Sequence, residues 1–251
     1  MSDTNILKAI AGRIWALWGL CLFVATLIIA IPFYAICYLM KEPQRARWHR
    51  HVSRVWMRFY LYCIGCPLSV KGEEYFERGK NYIVVCNHNS LMDVPVSTPF
   101  MPDASKTIAK KEFASVPLFG WIYSIGAILV DRKSDQSRKQ SYVKMKHVLA
   151  MGLYMVIYPE GTRNKSNEPL SPFHDGAFRL SVETRVPIVP ALIFNTKKIM
   201  PSDKIFFLLP HVIEMHFLPP EPPGALPVPA LKQKVFETMK AYYLANDVYW
   251  Q

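Results

Sequence analysis

Cysteine is scarce in this chain and irregularly placed: five residues, at positions 21, 37, 63, 66 and 86, among 251. An odd set with no even spacing excludes the disulfide framework of a small secreted domain. Cys63 and Cys66 form one CxxC, but no second pair exists to complete a zinc site, and both lie in an apolar stretch. The expectation is a reducing, cytosol-facing body with no metal and no cofactor site. Acidic residues are also few, 19 against 30 Lys and Arg, for a formal net charge of +11. The chain has no internal repeat and no low-complexity tract, which excludes repeat architectures. Between Ile14 and Met40 there is no charged residue at all.

What is present follows from that last gap. The uncharged run is 27 residues long, more than the roughly 20 that cross a bilayer as a helix, whereas the apolar region of a signal peptide is about half that length. Pro32 falls inside it, so a span, a kinked helix and a re-entrant hairpin all fit. Residues 1–60 carry eight Lys/Arg against only Asp3 and Glu42. A basic surface attracts anionic lipid, nucleic acid or acidic carriers; beside an apolar run, lipid is favoured. The arginines after Met40 keep that side cytoplasmic. At 51% hydrophobic residues and a mean hydropathy of +0.09, the chain is too apolar for an ordinary soluble domain and too polar for a polytopic transporter.

Residues 44–63 carry a second helical signal. Arg47, Arg50, Arg54 and Arg58 share one stripe, with Trp48, Val52, Val55, Trp56, Phe59 and Cys63 on the opposite side. A cationic stripe opposite a Trp-containing apolar face suits a helix in the headgroup region; a soluble helix packed on a core is the plainer reading. Beyond residue 66, candidate strands at 67–71, 82–86, 106–109, 127–130, 154–158, 187–193 and 211–217 alternate with candidate helices at 91–99, 118–125, 135–151, 176–184 and 229–246. Such alternation predicts an α/β domain, 66–251, with a mostly parallel sheet flanked by helices, behind a membrane-associated helical segment, 1–65.

Three blocks could do chemistry. His88 and Asp93 follow the apolar run Tyr82-Ile83-Val84-Val85, so the histidine points from a strand end into the crevice where open α/β sheets bind ligands. A neutral imidazole there can take a proton from an alcohol if a carboxylate holds its other N–H. Ser90-Leu91-Met92-Asp93 equally fits a capping box that closes a helix N-terminus, and spacing does not separate the two. Glu160-Gly161-Thr162-Arg163 follows another apolar run; Gly161 permits a tight turn and Arg163 can hold phosphate bidentately. The plain alternative is a solvated loop with a Glu160–Arg163 pair. Lys110 and Arg132 each follow a predicted strand and would add positive charge near an anionic substrate, or serve as surface cations.

Together with Pro117-Leu118-Phe119-Gly120 and Val186-Pro187-Ile188-Val189-Pro190, these blocks in this order resemble the lysophospholipid/glycerolipid acyltransferase family, in particular its bacterial 1-acyl-sn-glycerol-3-phosphate branch, over roughly residues 65–220. The resemblance implies that His88 is the general base and Asp93 its orienting partner, that a lipid hydroxyl attacks the thioester of acyl-CoA or acyl-carrier protein without a covalent enzyme intermediate, and that Arg163 with Lys110 holds the acceptor's phosphate in a pocket shaped by Glu160, Gly161 and Thr162. It implies partners to match: a lipid bilayer, a lysophospholipid acceptor and the acyl donor. A bacterial inner membrane, with the site facing the cytoplasm, is the expected location. One departure stands out. Members often carry a lysine in the block that here reads Pro172-Phe173-His174-Asp175-Gly176, and a carboxylate at that place leaves room for another lysophospholipid or a lyso-aminolipid acceptor. A non-catalytic membrane module would have been favoured by loss of His88 or Asp93, and no nucleic-acid motif accompanies the basic charge.

Overall fold

The computed structural model describes residues 3–131 and 133–246. Among them the strands are β1 (Leu68–Lys71), β2 (Ile83–Cys86), β3 (Ser105–Lys110), β4 (Ala127–Val130), β5 (Tyr154–Ile157), β6 (Ile188–Phe194) and β7 (Ile213–Phe217). They form one sheet in the order β1-β7-β6-β2-β5-β3-β4. β2 pairs in parallel with β5 and β6, and β3 with β4 and β5, so five strands run the same way. β7 turns back against β6 and carries β1 parallel to itself. The helices are α1 (Asp3–Ala35), α2 (Gln44–Cys63), α3 (Asp93–Phe100), α4 (Phe119–Gly126), α5 (Asp135–Ala150), α6 (Gly176–Thr184), α7 (Thr196–Ile199) and α8 (Val228–Asn246). The short α7 is an addition that periodicity does not announce.

Period-two alternation divides the core. Val84 and Cys86 of β2, Val156 of β5, and Val189, Ala191 and Ile193 of β6 face a layer built by α1, α2, α3 and α4. Ile83, Val85, Met155, Ile157, Ile188 and Leu192 face α5, α6 and α8. From the adjacent strands β2 and β5, the chain leaves over opposite faces, through α3 to β3 and through α6 to β6. That divergence opens a crevice at the shared C-terminal edge.

α1 is continuous through Pro32, which removes the re-entrant hairpin. Its inner stripe, Gly12, Ala16, Gly19, Leu27, Ala30 and Tyr34, recurs at helical spacing and is buried. Small residues bring it close: a Cβ on Gly12 would lie 2.2 Å from the Phe207 ring. Tyr34 and Ser53 share a hydrogen bond of 2.6 Å, Trp56 Nε1 donates to Thr26 at 2.9 Å, and Trp15 Nε1 donates to the Ile64 carbonyl at 2.9 Å. These pairs run in opposite order along the two helices, so α1 and α2 form an antiparallel hairpin. At 33 residues and 1.5 Å per residue, α1 is about 50 Å long. Leu7, Ile10, Ile14, Leu17, Ile28 and Ile29 remain exposed on its outer side.

The cationic stripe of α2 is not all solvated, which corrects the sequence expectation. Arg50 Nε donates to the Met101 carbonyl at 2.7 Å and Nη2 to that of Pro102 at 2.9 Å. Arg54 lies 3.7 Å from the Glu73 carboxylate and 5.8 Å over the Phe100 ring. Carbonyls at the end of α3 lack helical partners, and Arg50 fastens α2 to them while Arg54 packs on the Phe100 ring. Val55 and Phe59, on the side opposite the arginines, are exposed, while Val52 and Trp56 are buried.

His49 on α2 is enclosed by the Tyr34 ring, at 5.3 Å between centroids, and by Gly126, where a Cβ would come within 2.6 Å of its Cε1. Its Nε2 donates to the Ile122 carbonyl at 3.2 Å. Burial pushes its pKa down to about 4, helped by Lys106 and opposed by the Ile122 carbonyl and Glu42. In the unfolded chain the value returns to about 6.5. Between those limits the unfolded chain binds a proton that the folded protein does not, so stability falls as pH drops from 6.5 towards 4. The expected loss from pH 7 to pH 5 is roughly 2 kcal/mol, read from the thermal midpoint. His49→Gln should flatten that slope, and an unchanged slope would remove His49 as its cause.

Candidate active site

The loop after β2 is clamped from both sides. Asn87 Nδ2 donates to the Ile193 carbonyl at 3.0 Å, and the Ile193 N–H donates back to Oδ1 at 2.7 Å, so the loop begins locked to β6. From the β5 side, Glu160 Oε1 accepts the His88 N–H at 2.7 Å, and the Asn164 N–H donates to the His88 carbonyl at 2.6 Å. The backbone of His88 is therefore held by the loop after β5, and the residue before it, Asn87, by β6 itself.

Its side chain meets Asp93, the first residue of α3. Asp93 Oδ2 accepts from His88 Nδ1 at 2.9 Å, from the Asn89 N–H at 2.6 Å and from the Ser90 N–H at 2.7 Å. Its Oδ1 accepts from the Thr196 hydroxyl at 2.6 Å. Four donors and the positive end of a helix offset the burial of this carboxylate. The Ser90 hydroxyl accepts the Met92 N–H at 3.3 Å. Asp93 thus holds the imidazole and the Ser90 N–H with the same oxygen; the reciprocal half of the capping box is not made, since the Ser90 hydroxyl takes the Met92 N–H and Met92 is the N-cap. With Nδ1 committed as donor to Asp93, Nε2 is the ring nitrogen left to accept a proton. The Tyr158 ring lies 4.6 Å from the imidazole, fixed by a 2.6 Å bond between its hydroxyl and Ser97.

Glu160 makes no pair with Arg163. Its carboxylate turns inward, and Oε2 accepts the Ser171 N–H at 2.9 Å. Burial raises its pKa above the usual glutamate value despite those backbone donors. Gly161 has φ of +69°, and a Cβ there would meet the His174 ring at 2.9 Å. Thr162 is exposed. Arg163 is half-buried and has no carboxylate partner among the described residues. Lys110 ends β3, the strand next to β5, so it stands exposed on the same sheet edge. Arg132 lies outside the described residues. Asp175 turns to α8, 2.7 Å from Lys232 Nζ, so the acid that departs from the family pattern is engaged away from the Arg163 loop.

Three contributors went unread in the sequence. Tyr158 was visible only as part of its motif. Asn164 reads as a glycosylation sequon, yet it is buried, with its Nδ2 donating to the Glu168 carbonyl at 2.8 Å and its Oδ1 accepting the Ser166 N–H at 2.9 Å. Thr196 lies 103 positions from Asp93 and reaches it only because β6 pairs with β2. Thr196→Val should lower kcat about 10–100-fold with KM unchanged, since a lost hydrogen bond to an ionised carboxylate is worth roughly 1.5–3 kcal/mol. Steady-state kinetics with an unaltered kcat would remove Thr196 from the positioning set.

A family model described as acyltransferase matches residues 67–194. The chain is similar to 1-acyl-sn-glycerol-3-phosphate acyltransferase alpha of Mus musculus, 31% identical over 229 residues, covering 88% of this chain and 76% of the mouse protein. It is 34% identical over 141 residues to the 1-acyl-sn-glycerol-3-phosphate acyltransferase of Cocos nucifera, covering 55% of this chain and spanning 45% of the coconut protein. Among solved structures, the 1-acyl-sn-glycerophosphate (LPA) acyltransferase PlsC of Thermotoga maritima superposes with a TM-score of 0.80 over 94% of this chain and 96% of that one. At 20% identity that likeness concerns the fold. The family match runs from the start of β1 to the end of β6 and takes in both the His88–Asp93 loop and the Glu160–Arg163 loop, so the chain belongs to the acyltransferase family.

Proposed function

We propose that this enzyme transfers a fatty acyl group from acyl-CoA or acyl-carrier protein to the free hydroxyl of lysophosphatidic acid, giving phosphatidic acid. The observation that carries the reading is the 2.9 Å contact between His88 Nδ1 and the buried Asp93 carboxylate, at the crevice edge shared with Arg163 and Lys110. His88 Nε2 takes the hydroxyl proton as the oxygen attacks the thioester carbonyl carbon, and Asp93 stabilises the imidazolium so formed. The tetrahedral adduct collapses, the C–S bond breaks, and the imidazolium returns its proton to the departing thiolate. Arg163 and Lys110 hold the acceptor's phosphate and so place its hydroxyl against Nε2. Glu160 and Gly161 act by holding the two loops in register; the donor itself supplies the activated acyl group, and no further cofactor is invoked.

The same reading places the chain on a membrane, with α1 lying in the interface rather than crossing it. Docking of α1 along the protein and its exposed apolar outer side support this placement. The arginine-rich start of α2 supports the cytoplasmic face of a bacterial inner membrane. The test offers lysophosphatidic acid and a lyso-aminolipid to the purified protein, each with acyl-CoA and with acyl-carrier protein, and follows the acylated product. Phosphatidic acid as the main product is expected; acylation of the lyso-aminolipid alone would overturn the acceptor assignment.

A further inference from the structure

We propose that the loop following α7, residues 201–207, is a second lipid-contacting element, with Ile205 and Phe206 entering the leaflet beside the outer side of α1 and coupling bilayer contact to Asp93. This rests on the membrane reading of α1 given above. Ile205 is 93% exposed and Phe206 47%, whereas the next two residues, Phe207 and Leu208, are buried. Phe206 has φ of +51°, a left-handed conformation that disfavours a bulky side chain by about 1–2 kcal/mol. Such strain persists only where the surroundings impose it, and here the two residues that follow are pinned. Phe207 fills the notch over Gly12, and the Leu208 N–H donates to the Gly12 carbonyl at 3.0 Å.

The occupant follows from charge and continuity. A cleft of about 380 Å³ separates the loop from α1, and Ile205 borders it together with Arg13, Lys204 and one acid, Asp203. Arg13 is neighbour to Ile14 on the outward apolar side of α1. An apolar tip beside two cations and a single acid, continuous with the exposed Ile and Leu of α1, matches acyl chains beneath anionic headgroups; a protein partner has no comparable continuity with α1. On its other side the loop grows directly out of the residues that hold the catalytic carboxylate. Thr196 donates to Asp93 at 2.6 Å, and the Ser90 hydroxyl donates to the Met200 carbonyl at 3.0 Å. Insertion of the tip therefore bears on α7 and, through it, on the orientation of Asp93.

The experiment uses the full chain with Cys21→Ser and Cys63→Ser, leaving only the three buried cysteines, and places a nitroxide at Phe206→Cys or, separately, at Ile14→Cys. Vesicles of phosphatidylethanolamine and phosphatidylglycerol are added and oxygen accessibility is measured. Both labels should become oxygen-accessible and shielded from a water-soluble relaxant. A response at position 14 with none at 206 overturns the loop proposal alone; silence at both overturns the membrane reading and this one with it. Immobilisation of the label at 206 that depends on protein concentration and not on lipid would mean a second copy covers the tip, which also overturns it. The coupling is read separately with Ile205→Asp/Phe206→Asp. Its kcat/KM on a vesicle-presented acceptor should fall roughly tenfold or more, since two large apolar side chains lose their burial, while its thermal midpoint holds. Loss of the same size on a short-chain, water-soluble acceptor would overturn the lipid role.

Discussion

His88→Ala should lower kcat for acyl transfer by about 10²–10⁴-fold, the range supplied by a positioned general base. KM for the acceptor should stay within about twofold, because the imidazole acts on the transition state rather than on the bound phosphate. The fold should tolerate the change. The imidazole's hydrogen bond is the one to Asp93, and that carboxylate keeps donors from Asn89, Ser90 and Thr196. Thermal midpoints therefore separate lost chemistry from lost structure. Asp93→Asn should approach the same loss by another route: an amide can turn its NH₂ towards Nδ1 and hold the ring in the tautomer whose Nε2 carries a proton. Wild-type turnover in His88→Ala would end the base assignment.

Arg163→Ala should raise KM for lysophosphatidic acid by about 10–100-fold, the equivalent of losing charge-assisted hydrogen bonds worth roughly 1.5–3 kcal/mol. For an uncharged monoacylglycerol the change should be less than about twofold. Arg163 is half-buried and directly precedes Asn164, whose N–H grips the His88 carbonyl, so its backbone is one residue from the contact that joins the two loops. Arg163→Lys should rescue only partly, since a point charge does not reproduce the planar fork. Equal losses on both acceptors would refer the effect to loop structure and remove the phosphate role.

Much of this architecture is legible in the residues. Continuous apolar runs at 82–86, 154–158 and 187–193 mark strands with two buried faces, and each appears within two residues of its expected bounds. His88 and Asp93 were legible as a pair because both lie on one short loop. What stayed hidden depends on strand order. Thr196 and Asn164 bear on the 88–93 loop through neighbours that local pattern cannot name, since pairing of β2 with β5 and β6 is a tertiary outcome. The arginine stripe of α2 misled for the same reason: periodicity shows which side chains share a face, but not that the end of α3 would stand opposite Arg50.

The strand order also sets a timetable for synthesis. β2 has no neighbour in the sheet until β5 is made, about seventy residues later, and β6 follows later still. At roughly 5–20 residues per second on the ribosome, β2 waits several seconds for a partner. α1 is complete long before that, while Phe207, which fills the notch at Gly12, is among the last core residues to emerge. The side of α1 awaiting the protein mixes Gly12, Ala16, Gly19 and Ala30 with Leu27 and Tyr34, and Trp15, Phe23 and Ile31 pack beside them. Part of that apolar side therefore stays uncovered until the last third of the chain is made. Long-range pairing then makes closure of the sheet the slow event, and the hold that β6 and the loop after β5 have on Asn87 and His88 forms only once that closure is complete.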